Sequence, residues 1–233
     1  MSRKVRSGEI IKITPLADPD NSTKMEQNAL QVAARNSELA ALIKPTGLHC
    51  QALHGQEGPS LEAIISNTWP ELNPIMLTRL DFSVSGLVLT AFGQEAAQYF
   101  RQLEEAGLVK KLYLAMAEGL VEEMLLDRAT DSTNRKTVRV LANLQAEESR
   151  WTSIKPIKYF PQTKETLVEI SIRKGSRHQI RAHMAACGHP LLGDSLYGRA
   201  DQQGPLYLHH CRVSLPGFAA FCPAWFCPRH KPK

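Results

Sequence analysis

The chain begins with few apolar positions. Met1 to about Arg35 is polar and carries Pro15, Pro19 and the run Asp18-Pro19-Asp20-Asn21-Ser22-Thr23. A segment with so little to bury is expected to be an extension, residues 1–36, loose or laid on the surface. The pattern changes at Leu39-Ala40-Ala41-Leu42-Ile43, an apolar run stopped by Lys44-Pro45-Thr46-Gly47, which predicts a buried strand feeding a turn. Ser60 ahead of Leu61, Ile64 and Ile65 predicts an N-capped helix. Ser85 to Thr90 reads as a second buried strand. Between Gln94 and Ala106, residues Ala96, Phe100 and Leu103 fall at helical spacing, and Gly107 is placed to end the helix.

Farther along, the period shortens to two. Leu112, Leu114 and Met116 alternate with Lys111, Tyr113 and Ala115, and Val168, Ile170 and Ile172 alternate with Glu169, Ser171 and Arg173. Both stretches predict strands with two distinct faces. A helix follows from about Arg177 to Cys187, with Ile180, Met184 and Cys187 as its apolar stripe and Gly188 as its stop. The polar stretch from Asp127 to Arg150 fits a hairpin or an exposed loop. So mixed a series excludes a purely parallel wound sheet, and patterning alone supports only a domain of mixed helices and strands over residues 37–233.

Composition narrows this picture a little. With 43% hydrophobic and 22% charged residues, the 233-residue chain can bury a substantial core. Its five cysteines are an odd number in a long chain, which points to reduced thiols and a cytoplasmic setting. Met1 to Lys12 has no apolar stretch suited to a signal peptide, and no run approaches the length of a membrane-spanning helix. A formal net charge of +5 leans toward an anionic partner.

Three constellations offer chemistry. Thr78-Arg79-Leu80-Asp81 sits in a turn before the strand at Ser85 and presents a carboxylate beside an arginine. The block Lys174-Gly175-Ser176-Arg177-His178-Gln179-Ile180-Arg181-Ala182-His183 joins a strand to a helix. There Gly175 permits a tight turn, exposed amides suit an anion, and Arg177 and Arg181 share a helix face. Gly188-His189-Pro190-Leu191-Leu192-Gly193-Asp194 with Tyr197-Gly198 forms a glycine-punctuated loop. Taken singly, the first reads as a surface salt bridge, the second equally as a solvated basic face or a binding one, and the third equally as a packing turn or a binding loop. A last cluster, His209-His210-Cys211 with Cys222, Cys227 and His230, lacks a paired C-x2-C. It reads as buried thiols among aromatics, so no metal is expected.

The order of the blocks decides between these readings. Lys44-Pro45-Thr46-Gly47-Leu48 precedes Arg79-Leu80-Asp81 with Ser85-Gly86, then Lys111-Leu112-Tyr113-Leu114-Ala115 with Glu118-Gly119, then Gly175 to His183, then Gly188-His189-Pro190, Gly193-Asp194 and Tyr197-Gly198. The series resembles the RluA-like family of RNA pseudouridine synthases from about Leu39 to Pro216. The resemblance implies an α+β fold, a mixed, largely antiparallel sheet bent around a catalytic cleft and flanked by helices and loops. It implies Asp81 as nucleophile, Tyr113 against the target base, and Arg181 paired with Asp81, with Ile180 lining the pocket. Arg79 would fill the stack vacated by a flipped uridine, and Arg177, His178, Gln179 and Lys111 would contact the substrate.

Lys110, Lys111, Arg128, Arg135, Lys136, Arg139, Arg173 and Lys174 are candidates for phosphate contacts. Thr78 and Val84 stand where the family usually has His and Thr, which bears on positioning rather than chemistry. The segment before Leu39 is too short and polar for the S4-type RNA-binding module of many relatives, so a stand-alone catalytic domain is expected.

Isomerising uridine to pseudouridine breaks the N1–C1′ bond and reattaches the base through C5, so no cofactor is expected, and no P-loop or dinucleotide fingerprint is present. The expected partner is ribosomal or transfer RNA, with no membrane, and the expected state is a monomer. A non-catalytic RNA-binding or ribosome-assembly protein on the same fold is the alternative. Intact Arg79, Asp81, Tyr113 and Arg181 argue against it, and a glycosidase would want a second catalytic carboxylate.

Overall fold

A computed structural model of the chain describes residues 30–52, 58–133, 136–198 and 204–226. The apolar run after residue 38 forms strand β2 (Leu39–Lys44), and β4 (Ser85–Phe92) lies antiparallel to it. Both are buried along nearly their whole length because each face is covered. Leu87, Leu89 and Leu39 pack beneath helix α2 (Gln94–Glu105), through Ala97, Phe100 and Leu103. On the opposite face, Val88, Ala40 and Leu42 meet Leu61 and Ile65 of helix α1 (Leu61–Thr68). The helical periods thus match the faces expected of them, although Ala97 is more deeply buried than Ala96. Ser60 caps α1 by accepting the amide of Ala63 at 3.2 Å, and Gly107 follows α2 with φ +69°.

The remaining strands are β1 (Val32–Arg35), β3 (Pro74–Met76), β5 (Lys110–Glu118), β6 (Met124–Leu126), β7 (Arg128–Asp131), β8 (Arg139–Leu144), β9 (Thr152–Phe160), β10 (Glu165–Ile172), β11 (Leu208–Leu215) and β12 (Phe218–Phe221). The main sheet runs β1-β2-β4-β11-β5-β10-β9-β6, with β3 on β4 and β12 on β11, while β7 and β8 form a separate hairpin. Only β4 and β11 pair in parallel, so the sheet is mixed and largely antiparallel. Val32–Arg35, which sequence alone places in the polar extension, forms the edge strand; residues 1–29 of that extension lie outside the described residues. The polar stretch after Asp127 supplies the hairpin.

Strand β5 distributes its faces in an unexpected way. Lys111, Tyr113 and Ala115 are buried, while Leu112 and Leu114 are only half-buried. The face bearing the lysine and tyrosine looks into the junction with β10, β11 and helix α3 (Gln179–Ala186), where Ile180 and Met184 close the cluster. Lys111 tolerates burial because its ammonium is ion-paired with Glu104 of α2.

The parallel contact between β4 and β11 places His210 opposite Gly86, and His210 is also the register partner of Tyr113 on β5. Gly86 has φ +114°, and a Cβ there would lie 2.3 Å from the His210 carbonyl oxygen. A side chain at residue 86 would therefore pry β11 from β4 and move the residues that follow.

Burial pushes the imidazoles of His209 and His210 down to about 4 and about 3. Both stay neutral in the fold where the unfolded chain, titrating near 6.5, takes up protons. Their contribution to stability is complete above that pH and is lost as pH falls through the folded values. The melting temperature is expected to decline steadily from pH 7 to pH 4, and a flat profile would show that the rings are open to water.

Candidate active site

The turn between β3 and β4 carries Arg79, Leu80 and Asp81, and it is pinned from beneath. Lys44, fully buried, donates to the carbonyls of Pro45 and Leu48 at 2.9 Å and of Phe82 at 3.3 Å. Burial pulls its ammonium down to about 8. The Gly47 amide donates to the Phe82 carbonyl at 2.9 Å, and Cys50 Sγ receives the Leu80 amide at 3.2 Å. Thr78 Oγ1 accepts the Leu89 amide at 2.9 Å, so this departure from the family pattern serves the backbone.

Asp81 therefore sits on a fixed loop at the edge of a cleft of about 690 Å³, lined also by Arg79, Lys111, Tyr113, Arg177, His178, Gln179, Ile180, Arg181 and His210. Every residue assigned to the site from sequence lines this one cleft. Their engagements differ from expectation, however. Arg181 NH1 donates to Asp81 Oδ2 at 2.8 Å, but the forked face of the guanidinium is turned elsewhere. Its Nε and NH2 donate to the two carboxylate oxygens of Asp194 at 2.8 and 2.7 Å. Asp81 thus receives one bond from Arg181 while Asp194 takes the fork, and Asp194 was not among the residues assigned.

Arg177 corrects a second expectation. The helix begins at Gln179, two residues later than its periodicity suggests, because His178 adopts a left-handed conformation with φ 52°. Gly175, expected to permit the turn, is not among the positive-φ residues. Arg177 consequently does not share a helix face with Arg181: it is exposed and donates to the Ser132 carbonyl at 3.0 Å. His178 is carried toward the carboxylate instead, its Nε2 3.6 Å from Asp81 Oδ2 and its Nδ1 2.9 Å from the Tyr197 hydroxyl. Burial lowers its imidazole pKa; the Asp81 charge partly opposes this, while Arg181 and Arg177 add to it. Gln179 is buried and its amide spans Arg150 O, Thr152 Oγ1 and the Ser176 amide, so it ties the turn together.

Tyr113 is 7% exposed and stacks on His210, centroids 4.5 Å apart and planes 15° from parallel. Burial, reinforced by the negative charge of Asp81, raises its phenol pKa. The phenol is therefore protonated at neutral pH, able to donate or to relay a proton but not to act as a standing base. Arg79 is exposed at the rim, with NH1 donating to Gln51 Oε1 at 2.8 Å.

Of the phosphate candidates, Lys111 is engaged by Glu104, and Lys174 reaches Glu147 at 3.0 Å. Arg128 donates to the Ala142 carbonyl, and Arg135 lies outside the described residues. On β11, His209 accepts from Ser85 Oγ at 2.9 Å through Nδ1 and donates to the Cys222 carbonyl at 3.3 Å, while Cys211 donates to the Leu112 carbonyl. Burial raises the Cys211 thiol to about 12 and the Cys222 thiol to about 11. Among the described residues no three His, Cys, Asp or Glu side chains cluster as metal ligands; Cys227 and His230 lie outside them.

Fold and site together define an α+β cleft protein in which one partly exposed carboxylate is held by a buried guanidinium beside an aromatic ring. Residues 38–186 match the family model for RNA pseudouridylate synthase, and the chain belongs to that family. It is 32% identical to ribosomal large subunit pseudouridine synthase C of Vibrio vulnificus, covering 84% of this chain and 64% of that one. It is 28% identical to tRNA pseudouridine synthase C of Haemophilus ducreyi, covering 74% and 76%. The fold matches human RNA pseudouridylate synthase domain containing 1 with a TM-score of 0.70 at 20% identity, covering 86% of each chain. The chain spans about half the length of several other curated relatives that it matches.

Proposed function

We propose that this protein isomerises a specific uridine in structured RNA to pseudouridine, with Asp81 as nucleophile. The observation that carries the reading is the 2.8 Å bond from Arg181 to Asp81 inside a cleft floored by Tyr113. A uridine in a folded RNA must leave its stack to reach Asp81, at a cost of a few kcal/mol. The exposed guanidinium of Arg79 at the rim is suited to stack in the vacated place. Inside the cleft, Arg181 orients the Asp81 carboxylate, and the Tyr113 ring offers a flat face to the uracil. Asp81 attacks C1′ or C6, the N1–C1′ bond breaks and the base turns. C5 bonds to C1′, the bond to Asp81 is released as a carboxylate, and the C5 proton departs with Tyr113 as relay. The chemistry stays within one nucleoside and calls on no cofactor.

Ribosomal RNA is the favoured substrate, with transfer RNA as the other, in keeping with the names of the two bacterial relatives. We place the enzyme in the cytoplasm as a monomer; among the described residues, no helix is long and apolar enough to cross a membrane. Mapping pseudouridines by chemical derivatisation and sequencing, in cells with and without the gene, tests the assignment. Loss of pseudouridine at one or a few sites is expected, and identical maps would refute it.

Tyr113→Phe tests the relay. The change keeps the ring and its stack on His210, so melting and RNA affinity should stay near wild type. Turnover is expected to fall at least about 100-fold, within the range of a positioned acid–base group. A near-normal rate would leave the ring with stacking alone.

A further inference from the structure

Phe82 follows Asp81 directly, yet it has no task in the reaction just described and no place in the core. It is 49% exposed, and among the described residues it is the one exposed large hydrophobic side chain that lines the cleft. The loop does not depend on the ring. What pins it is the Phe82 carbonyl, which accepts from Lys44 at 3.3 Å and from the Gly47 amide at 2.9 Å.

The ring is nonetheless held in place. Its centroid lies 4.4 Å from that of the His49 imidazole, with the planes 34° apart. His49 is fixed in turn, since its carbonyl accepts the Leu61 amide at 2.9 Å. Two more contacts join the same two segments: Cys50 Sγ accepts the Leu80 amide at 3.2 Å, and Gln51 Oε1 accepts from Arg79 at 2.8 Å. Residues 49–51 and 79–82 thus form one rim, which carries the Asp81 carboxylate, an exposed guanidinium and a pair of rings.

We propose that the Phe82–His49 pair is a stacking platform for an unpaired nucleobase next to the target uridine in the substrate RNA. The inference deepens the isomerase reading and rests on it for which base enters the cleft. Adjacent Cα atoms are about 3.8 Å apart, so whatever meets Phe82 lies one step from what meets Asp81. The cleft is lined by Arg79, Lys111, Arg177 and Arg181 against the carboxylates of Asp81 and Glu104, an excess of cations that suits a polyanion rather than an apolar peptide.

The flipping step gives the platform its use. A uridine that leaves its stack strips its neighbours of a stacking face. With Arg79 in the vacated place, a neighbour that swings out with the target needs a second flat face, and the rim offers it at Phe82. Unstacked bases in RNA loops settle on aromatic side chains in this way. Every base has a π-face, so the platform adds affinity for a splayed strand without reading its sequence.

Binding to an RNA fragment that carries the mapped uridine tests this. Phe82→Ala should weaken binding at least about fivefold, the loss of one base–aromatic stack, with the melting temperature within about 3 °C of wild type. Phe82→Trp should bind within about twofold of wild type or tighter. Phe82→Leu keeps apolar area without a flat face and should lose nearly as much as the alanine variant. The slope of log Kd against log salt should not change, because no phosphate contact is removed. An abasic nucleotide beside the target, on one side or the other, completes the cycle. At the platform position it should weaken the wild type about as much as Phe82→Ala does, and cost that variant less than about twofold. Additive losses at both neighbours, full binding by Phe82→Leu, or a shallower salt slope would each overturn the platform. If Phe82→Ala yields no folded protein, Phe82→Leu carries the same cycle.

Oligouridylate binding needs no turnover and keeps the two readings apart. A wild type that forms no pseudouridine, but binds oligouridylate more tightly than Phe82→Ala does, retires the isomerase and leaves the platform standing. An active enzyme whose Phe82→Ala variant binds the mapped fragment like wild type retires the platform alone.

Discussion

Asp81→Asn is expected to lower pseudouridine formation by about three orders of magnitude or more while changing RNA affinity by less than about threefold. The carboxylate sits on a pinned loop in the cleft, one-quarter exposed and aimed by a guanidinium bond. An amide keeps its size and can still accept from Arg181 NH1 through its carbonyl oxygen. What it loses is the negative charge, and with it the ability to form the ester that either route requires. The fold should not suffer, because Lys44, Gly47 and Cys50 hold the loop through backbone groups rather than through the Asp81 side chain. Single-turnover assays on the mapped uridine, with binding measured separately, check both halves. Turnover within tenfold of wild type would remove Asp81 from the chemistry. Lost binding with normal chemistry in the bound complex would make it a recognition residue. The same experiment separates the enzyme from a non-catalytic RNA-binding protein on this fold, for which Asp81→Asn would change nothing.

The parts of this architecture legible in the sequence are those that local periodicity encodes. Leu39 to Ile43 and Ser85 to Thr90 are continuous apolar runs because helices cover both sides of β2 and β4, and a doubly covered strand has no polar face to alternate. Ala96, Phe100 and Leu103 reveal α2 for the complementary reason: one side of that helix meets water. The bond between Asp81 and Arg181 joins residues 100 positions apart, and no periodicity encodes such a pair. It was legible only through the order of the motif blocks.

Three features escaped. His178 takes φ 52° although Gly175, three residues earlier, looks like the turn residue, because the turn is shaped by the ties from Gln179 to Ser176 and from His178 to Tyr197. That twist separates Arg177 from Arg181, which helical spacing had put on one face. On β5, the alternation of Leu112 and Leu114 marks two faces without saying which is buried; the buried side carries Lys111 and Tyr113, because Glu104 and His210 satisfy them from neighbouring elements. Asp194 lies in the glycine-punctuated loop from Gly188 to Gly198, which reads equally as a packing turn or a binding loop. Its one available signal was an acid directly after a glycine in a chain whose other site residues are largely basic, and its significance depends on a guanidinium 13 residues earlier on a helix.

Arg181→Lys is the second substitution expected to have a large effect, and the two carboxylates make its consequences sharper than a simple charge-preserving change. The guanidinium serves three oxygens at once, Nε and NH2 on Asp194 and NH1 on Asp81, within a plane that fixes all three directions. An ammonium is a point donor on a shorter reach and cannot hold a buried fork and a third acceptor in the same geometry. In a wall where the side chain is 5% exposed, the lysine is expected to settle on the fully enclosed Asp194 and release Asp81. The nucleophile would then keep its charge but lose its direction. Turnover should fall at least about 100-fold, RNA affinity should change little, and stability should drop by about 2–4 kcal/mol as part of the buried network goes unsatisfied. Denaturant unfolding and saturating-RNA kinetics measure these separately. A normal rate with strongly weakened binding would instead make Arg181 a contact to the RNA backbone, and a normal rate with normal binding would show that Asp81 needs no guanidinium to aim it.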